Sequence, residues 1–215
     1  MLKLLLIAIA PVFAILFYVY IRDRYEKEPL HFLVMGTFYG VAVSVPIAFC
    51  EMYIESLSPD LKDNVVFLSF ASASLTEEFF KILIIILLCF RSKHYNTFFD
   101  GIVYSVFVSL GFAGVENILY VFDNELGGLQ TAVMRAFLSV PAHALFAVSM
   151  GYYLSAAKYH GRKYFIAAFM SPFLKHGVYD LILMSDFDKY YIIFACYIVF
   201  LWADTSKKFN TASNF

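Results

Sequence analysis

Long apolar runs alternate with short polar segments along the 215 residues of the chain. A helix needs about 20 mainly apolar residues to cross the hydrocarbon core of a bilayer, and six runs clearly meet that length. A seventh run is shorter and ends near Trp202, a residue type that favours the membrane interface. The predicted spans cover about residues 2–21, 30–50, 65–90, 98–122, 129–154, 164–184 and 190–203.

The charges between the apolar runs predict an orientation, because cytoplasmic loops carry an excess of Lys and Arg. Basic residues are concentrated in alternate loops, whereas the intervening loops are mainly acidic. The basic set is Arg22, Arg24, Lys27, Arg91, Lys93, Lys158, Arg162, Lys163, Lys207 and Lys208. This distribution places the N-terminus outside and the C-terminus in the cytoplasm, which requires an odd number of spans. We therefore expect an all-α, polytopic membrane helix bundle of about seven spans, forming one domain over residues 1–215.

The composition agrees with a membrane protein. Hydrophobic residues make up 61% of the chain and charged residues 15%, and the formal net charge is -1. Soluble domains average about 45–50% apolar and about 25% charged residues, so an ordinary water-soluble enzyme is excluded. No cluster of Lys and Arg is present to neutralise phosphates, so we expect no nucleic-acid partner. The lipid bilayer is the expected environment.

Ionisable residues within the predicted spans are the unusual feature of the sequence. Each costs about 2.5–3.5 kcal/mol at the centre of a spanning helix, so such residues face one another or a water-filled cavity. The set comprises Glu77, Glu78, Lys81, Glu116, Arg135, His143, Lys175, His176 and Asp180. At a rise of about 1.5 Å per residue, the acidic residues and histidines of four spans lie between the middle of the bilayer and its outer third. We expect them to form one cluster.

Helical spacing predicts specific pairs within this cluster. Lys81 follows Glu77 by four residues and Glu78 by three, so its ammonium can reach either carboxylate. Asp180 follows His176 by four residues and can orient the imidazole. Neighbouring carboxylates with a histidine can activate water and stabilise an oxyanion, which is the chemistry of amide hydrolysis. A buried ion-pair network that only fixes helix register would also explain the glutamates and Lys81.

Four segments resemble the PrsW family of intramembrane proteases. They are Leu75-Thr76-Glu77-Glu78-Phe79-Phe80-Lys81 (the EExxK motif), the 111–120 segment around Glu116-Asn117, Pro141-Ala142-His143-Ala144, and His176-Gly177-Val178-Tyr179-Asp180 (HxxxD). The family is distantly related to the CAAX prenyl endopeptidases and bacteriocin self-protection proteins. The resemblance implies a glutamic-type protease of the bacterial plasma membrane. It further implies site-1 cleavage of a single-pass anti-sigma factor near the outer face, within a stress response.

The residues and the resemblance together suggest a division of roles. Glu77 or Glu78 activates water, Lys81 sets their ionisation, and His176 stabilises the oxyanion. Asp180 orients His176, and the pocket is completed by Glu116, Asn117 and His143. Arg135 and Lys175 are expected to snorkel towards the interface or to pair with carboxylates rather than to act in catalysis. No cofactor is expected in this interpretation.

Two alternatives remain open from the sequence. A metal-dependent protease could use the same side chains, with Glu77, Glu78, Glu116, His143 and His176 as candidate ligands. A proton-coupled transporter could use buried glutamates and histidines as a proton relay. The transporter is disfavoured because the sequence shows no inverted repeat and no chain of charges leading to the cytoplasmic side.

Overall fold

The computed structural model describes residues 1–23, 26–185 and 187–214, and all regular structure in these ranges is helical. The α-helices are α1 (Leu2–Arg22), α2 (Leu30–Leu57), α3 (Leu75–Ile84), α4 (Asp100–Val121), α5 (Leu129–Phe137), α6 (Ser139–His160), α7 (Tyr164–Met184) and α8 (Phe187–Ala212). A 3-10 helix covers Pro59–Leu61. Two π-helical segments, Phe67–Ser74 and Ile85–Cys89, flank α3, so that residues 67–89 form one continuous helical rod.

Helix α4 is the centre of the bundle, and 16 of its 22 residues are buried. It packs against α1, α2 and α6. Glycines allow these close approaches, since a Cβ on Gly40 would lie 1.9 Å from the carbonyl oxygen of Val108. Where α6 approaches α4, a Cβ on Gly151 would lie 2.1 Å from the carbonyl oxygen of Gly101. Small residues at helix crossings are typical of bundles that assemble in lipid.

Four helical stretches of the described chain are long and apolar enough to cross a membrane. They are Leu2–Arg22, Leu30–Leu57, Asp100–Val121 and Leu129–His160. The outer faces of the bundle carry many exposed large apolar side chains, such as Phe13, Phe38 and Ile166. The protein is therefore a multi-pass membrane protein. The orientation that the loop charges indicate stays a prediction.

The predicted span 129–154 lies within the stretch Leu129–His160, which is long and apolar enough to cross a membrane but is not one regular helix. The chain forms α5 and α6 instead, with a break at Leu138. Pro141 explains this break, because its ring displaces the carbonyl of Phe137, four residues earlier, and it has no N–H to donate. Hydropathy does not reveal the break, since the residues on both sides of it are apolar.

Helix α8 contains the predicted seventh span, 190–203, and extends beyond it at both ends. At its C-terminal end, α8 continues to Ala212, past the predicted end at residue 203. Asp204 stabilises the added turns, because it pairs with Lys208 one turn later and with Lys175 on α7. Similarly, α2 continues two turns past the predicted end at residue 50, to Leu57.

Candidate active site

The helical rod 67–89 and helices α2, α4, α5, α6 and α7 line a cavity of about 430 Å³. The cavity lies at the level where otherwise apolar helices carry ionisable residues. Apolar residues above and below this level pack the helices together. The ionisable residues that line the cavity include Glu77, Glu116, Arg135, His143, His176 and Asp180. The structure thus brings together, at one place, side chains that are up to about 100 residues apart in sequence.

Lys81 lies at the centre of the cluster and is completely buried. Its Nζ donates to Glu77 Oε2 at 2.8 Å and to Glu78 Oε1 at 2.9 Å, the two pairs that helical spacing predicts. The same nitrogen lies 3.4 Å from His143 Nδ1 and 4.3 Å from the centroid of the Phe112 ring. A buried ammonium is strongly destabilising without such partners, so Lys81 and the glutamates depend on one another.

His176 contacts a carboxylate through each ring nitrogen. Nδ1 lies 3.0 Å from Glu78 Oε1, and Nε2 lies 3.1 Å from Asp180 Oδ2. The ring also stacks on Phe146, with centroids 5.0 Å apart. Asp180 therefore holds His176 as the spacing predicts. A role for His176 in stabilising an oxyanion requires one of the two carboxylate contacts to open.

His143 has a matching arrangement on α6. Its Nε2 lies 2.8 Å from Glu116 Oε2, while Nδ1 faces Lys81. Glu116 also pairs with Arg135 Nη2 at 3.0 Å, and the Arg135 guanidinium lies over the ring of Tyr120. Arg135 thus pairs with a carboxylate, as expected, although it does so from α5 and not from within a long spanning helix.

The two adjacent glutamates have different positions. Glu77 lines the cavity, whereas Glu78 lies behind it and is only 1% exposed. Glu78 Oε1 is shared by Lys81 and His176, and its Oε2 is buried without a hydrogen-bond partner among the described residues. Of this pair, Glu77 can therefore contact a substrate in the cavity, whereas Glu78 contacts the buried cluster of Lys81 and His176.

Asn117 lies outside the cavity. Its side chain donates to the carbonyl oxygen of Ala8 at 2.6 Å and accepts from Arg135 Nε at 2.9 Å. These contacts join α1 to α4 and hold the guanidinium that pairs with Glu116. Asn117 therefore stabilises the wall of the cavity indirectly, through Arg135 and Glu116.

Glu51 and Glu55 line the cavity, although both follow the predicted end of the second span at residue 50. They do so because α2 continues past the apolar run and carries both carboxylates on one face. Glu55 accepts a hydrogen bond from Ser72 Oγ at 2.6 Å, and Glu51 lies 3.3 Å from Thr76 Oγ1. Their spacing of four residues, directly after an apolar run, is the signal that could have indicated this position.

Lys175 belongs to a separate polar network. Its Nζ contacts Ser149 Oγ and Asp204 Oδ2, and Asp204 also pairs with Lys208. This network connects α6, α7 and α8. Neither Lys175 nor Asp204 lines the cavity, so this network is not a continuation of the active-site cluster.

The cluster also has the geometry of a metal site. One donor atom each from Glu77, Glu78, His143 and His176 lies within 4.8 Å of all the others, and all four residues are buried. Each histidine has its remaining nitrogen on a carboxylate, as metal-binding histidines commonly do. Glu116, the fifth candidate ligand, lies behind His143. The Lys81 ammonium contacts three of the four donor groups, in a position that a metal cation would otherwise take.

Comparisons with known proteins agree with this site. Residues 12–203 match the model of a family described as "PrsW family intramembrane metalloprotease". "Protease PrsW" of Clostridioides difficile is 38% identical over 99% of this chain and 92% of its own length. The protein of the same name from Bacillus subtilis is 38% identical over 90% of this chain and 88% of its own length. No solved structure matches the chain.

A helical membrane bundle with buried glutamates and histidines around a cavity fits a membrane-embedded peptidase. The family match covers most of the chain, and the curated relatives are similar over nearly their whole length. The chain belongs to the PrsW protease family. It is an intramembrane protease, and the resemblance seen in its sequence motifs is confirmed.

Proposed function

We propose that this protein is an endopeptidase that performs site-1 cleavage of a membrane-anchored anti-sigma factor. The substrate is a single-pass membrane protein, cut near the extracytoplasmic face of the bacterial plasma membrane. One observation carries the chemical part of the proposal: the Glu77 carboxylate faces a cavity of about 430 Å³ together with two carboxylate-bound histidines. The choice of substrate rests on the family resemblance and on the predicted orientation.

Glu77 is the general base in this proposal. It lines the cavity and can accept a proton from a water molecule that attacks the substrate carbonyl. Lys81 holds Glu77 in place and balances its charge through the 2.8 Å contact. Glu78 is the positioning partner, because it lies behind the cavity and binds both Lys81 and His176.

His176 is the proposed group for oxyanion stabilisation. Asp180 holds the ring through Nε2. Nδ1 is then the nitrogen that can leave Glu78 and donate a hydrogen bond to the substrate oxyanion. A preorganised donor of this kind stabilises the negative charge that develops in the transition state. Glu116 and His143 complete the polar wall opposite Glu77.

The donor set also fits a divalent metal, in agreement with the description of the family as metalloproteases. Glu77, Glu78, His143 and His176 would hold the ion, and the carboxylates of Glu116 and Asp180 would orient the two histidines. A bound metal would act as a Lewis acid and make water more acidic. Lys81 would have to withdraw from the donor groups, because its ammonium contacts three of them.

The test of this proposal uses cells that produce a tagged anti-sigma factor candidate. We expect Glu77→Gln, Glu78→Gln and His176→Asn each to abolish the cleavage fragment while the protease remains at normal abundance. Glu125→Gln changes an exposed carboxylate and is the matched control. Near-normal cleavage in all three site variants would overturn the assignment. Elemental analysis of the purified protein, with activity measured after chelation, decides between a metal and a carboxylate alone.

A further inference from the structure

A second cavity, of about 570 Å³, lies between α1 and α8, and α6 forms its floor. Ala144 and Leu145 line this floor, whereas His143 and Phe146 line the active-site cavity. The two cavities therefore lie on different faces of α6. We call the second one the α1/α8 groove.

The polar lining residues of the α1/α8 groove lie at one end. Arg22 is the last residue of α1, and the other three occupy the last turns of α8: Thr205, Ser206 and Asn210. The contact between Arg22 and Phe209 shows that these helix ends are adjacent, since the guanidinium carbon lies 5.4 Å from the ring centroid. The rest of the lining is apolar, including Ile15 and Val148. The groove thus has an apolar body and one polar end.

The polar end suits an anion. Arg22 makes no ion pair within the ranges that the structure describes. A guanidinium binds phosphate oxygens strongly, and its planar donors match their geometry. Ser206 and Asn210 are exposed beside it and provide further hydrogen-bond donors. A ligand with a phosphate group and an apolar chain therefore matches both the polar end and the apolar body of the groove.

The shape of the groove favours a lipid chain over a transmembrane helix. Tyr18 and Phe209 stack across the polar end, with ring centroids 6.0 Å apart, and this contact joins α1 to α8. A helix that crosses the whole bilayer would have to pass between these two rings. A flexible acyl chain can instead enter from the side and lie along Ala144 and Val148 of α6.

We propose that the α1/α8 groove binds an anionic phospholipid, with its phosphate at Arg22 and an acyl chain along α6. Any lipid chain can fill the apolar body, so selectivity for anionic lipid comes from the polar end. A bound chain would lie directly behind the turn of α6 that carries His143. The proposal is independent of the protease mechanism, because neither Arg22 nor any other polar residue of this groove lines the active-site cavity.

Trp202 provides a direct test, because it is the single tryptophan of the chain and it lines the groove. Bromine atoms on an acyl chain quench its fluorescence on contact. The experiment reconstitutes the full-length protein in phosphatidylcholine vesicles that contain increasing fractions of brominated phosphatidylglycerol or brominated phosphatidylcholine. Arg22→Gln removes the proposed phosphate contact. Arg91→Gln is the matched control, since Arg91 is exposed and does not line the groove.

In the wild type, we expect brominated phosphatidylglycerol to reach half-maximal quenching at about a fivefold lower lipid fraction than brominated phosphatidylcholine. This ratio corresponds to the attraction of one basic side chain for an anionic lipid. Arg22→Gln should remove this preference, and Arg91→Gln should retain it. Equal quenching by the two brominated lipids in the wild type would overturn the proposal. An equal loss of preference in Arg91→Gln would also overturn it, because general surface charge would then be the cause.

Discussion

The rings of His143 and His176 stand nearly perpendicular, with centroids 5.3 Å apart and an interplanar angle of 83°. Each ring directs Nδ1 towards the cluster of Glu77, Glu78 and Lys81, and each has Nε2 on a carboxylate. Two histidines from different helices thus have the same local arrangement. Each carboxylate on Nε2 therefore fixes the orientation of its histidine.

The carboxylates behind the histidines should affect cleavage without affecting folding. We expect Glu116→Gln and Asp180→Asn each to lower the cleavage rate by about 10- to 100-fold, because each fixes the orientation and tautomer of a ring. The measurement is the rate of fragment formation, with protease abundance followed in parallel. Glu125→Gln should cleave at the wild-type rate. A wild-type rate in both site variants would show that the Nε2 contacts have no functional role.

Removal of Lys81 should destabilise the protein. Lys81→Met leaves two buried carboxylates without their cation, and we expect a loss of about 3–5 kcal/mol in the free energy of unfolding. Thermal unfolding in detergent measures this loss. The double variant Lys81→Met with Glu78→Gln should recover part of it, because one uncompensated charge is then absent. If the double variant is less stable than Lys81→Met alone, the interpretation of this cluster as a charge-balanced unit is wrong.

Gly177 should be essential for the position of its neighbour His176. A Cβ at Gly177 would lie 2.3 Å from two atoms of the Phe70 ring, so α7 or the π-helical segment would have to shift. We expect Gly177→Ala to cost about 1–3 kcal/mol in stability and to reduce cleavage. Gly114→Ala is the matched control, because its added Cβ would make only an ordinary contact of 3.7 Å with Val12. Addition of Phe70→Leu to Gly177→Ala should restore part of the loss, and no restoration would argue against this steric cause.

Stability should also depend on the ionisation of Glu28, in the loop between α1 and α2. Burial of its side chain raises the pKa of the Glu28 carboxyl to about 8, and the Tyr104 hydroxyl hydrogen bond opposes this only partly. The folded protein therefore retains a proton that the unfolded chain releases at about pH 4.3. Below that pH the contribution of Glu28 to stability is fully present, and it is lost as the pH rises towards 8.

Thermal unfolding between pH 6 and pH 8.5 tests this expectation. The unfolding temperature of the wild type should fall over this range, and Glu28→Gln should show a smaller fall. Asp23 contributes in the same direction, because burial raises the pKa of its carboxyl as well. An unchanged pH dependence in Glu28→Gln would contradict this role of Glu28.

The sequence predicted the main features of the fold because the length of an apolar run is a direct measure of its fit to a bilayer. It did not predict where helices end. Hydropathy reports transfer into lipid, and it is insensitive to the break at Leu138, which arises from the backbone chemistry of Pro141. The continuation of α8 depends on the pair of Asp204 with Lys175 on another helix, a tertiary contact that local sequence does not contain.

The composition of the site was more predictable than its geometry. Ionisable residues inside apolar runs stand out in any sequence, and helical spacing correctly paired Lys81 with the glutamates and Asp180 with His176. Spacing along one helix says nothing about partners on another. The contact of Glu78 with His176 and that of Glu116 with His143 therefore required the structure.

The central claim is that Glu77 activates the water that cleaves a membrane-anchored substrate. Its most direct test is cleavage of the cell's own anti-sigma factor candidates, each reconstituted in liposomes with purified wild type, Glu77→Gln or Glu125→Gln. We predict a new fragment with the wild type and with Glu125→Gln. The rate with Glu77→Gln should be at least about 100-fold lower, as expected for loss of a general base. Cleavage by Glu77→Gln at the wild-type rate would contradict the account.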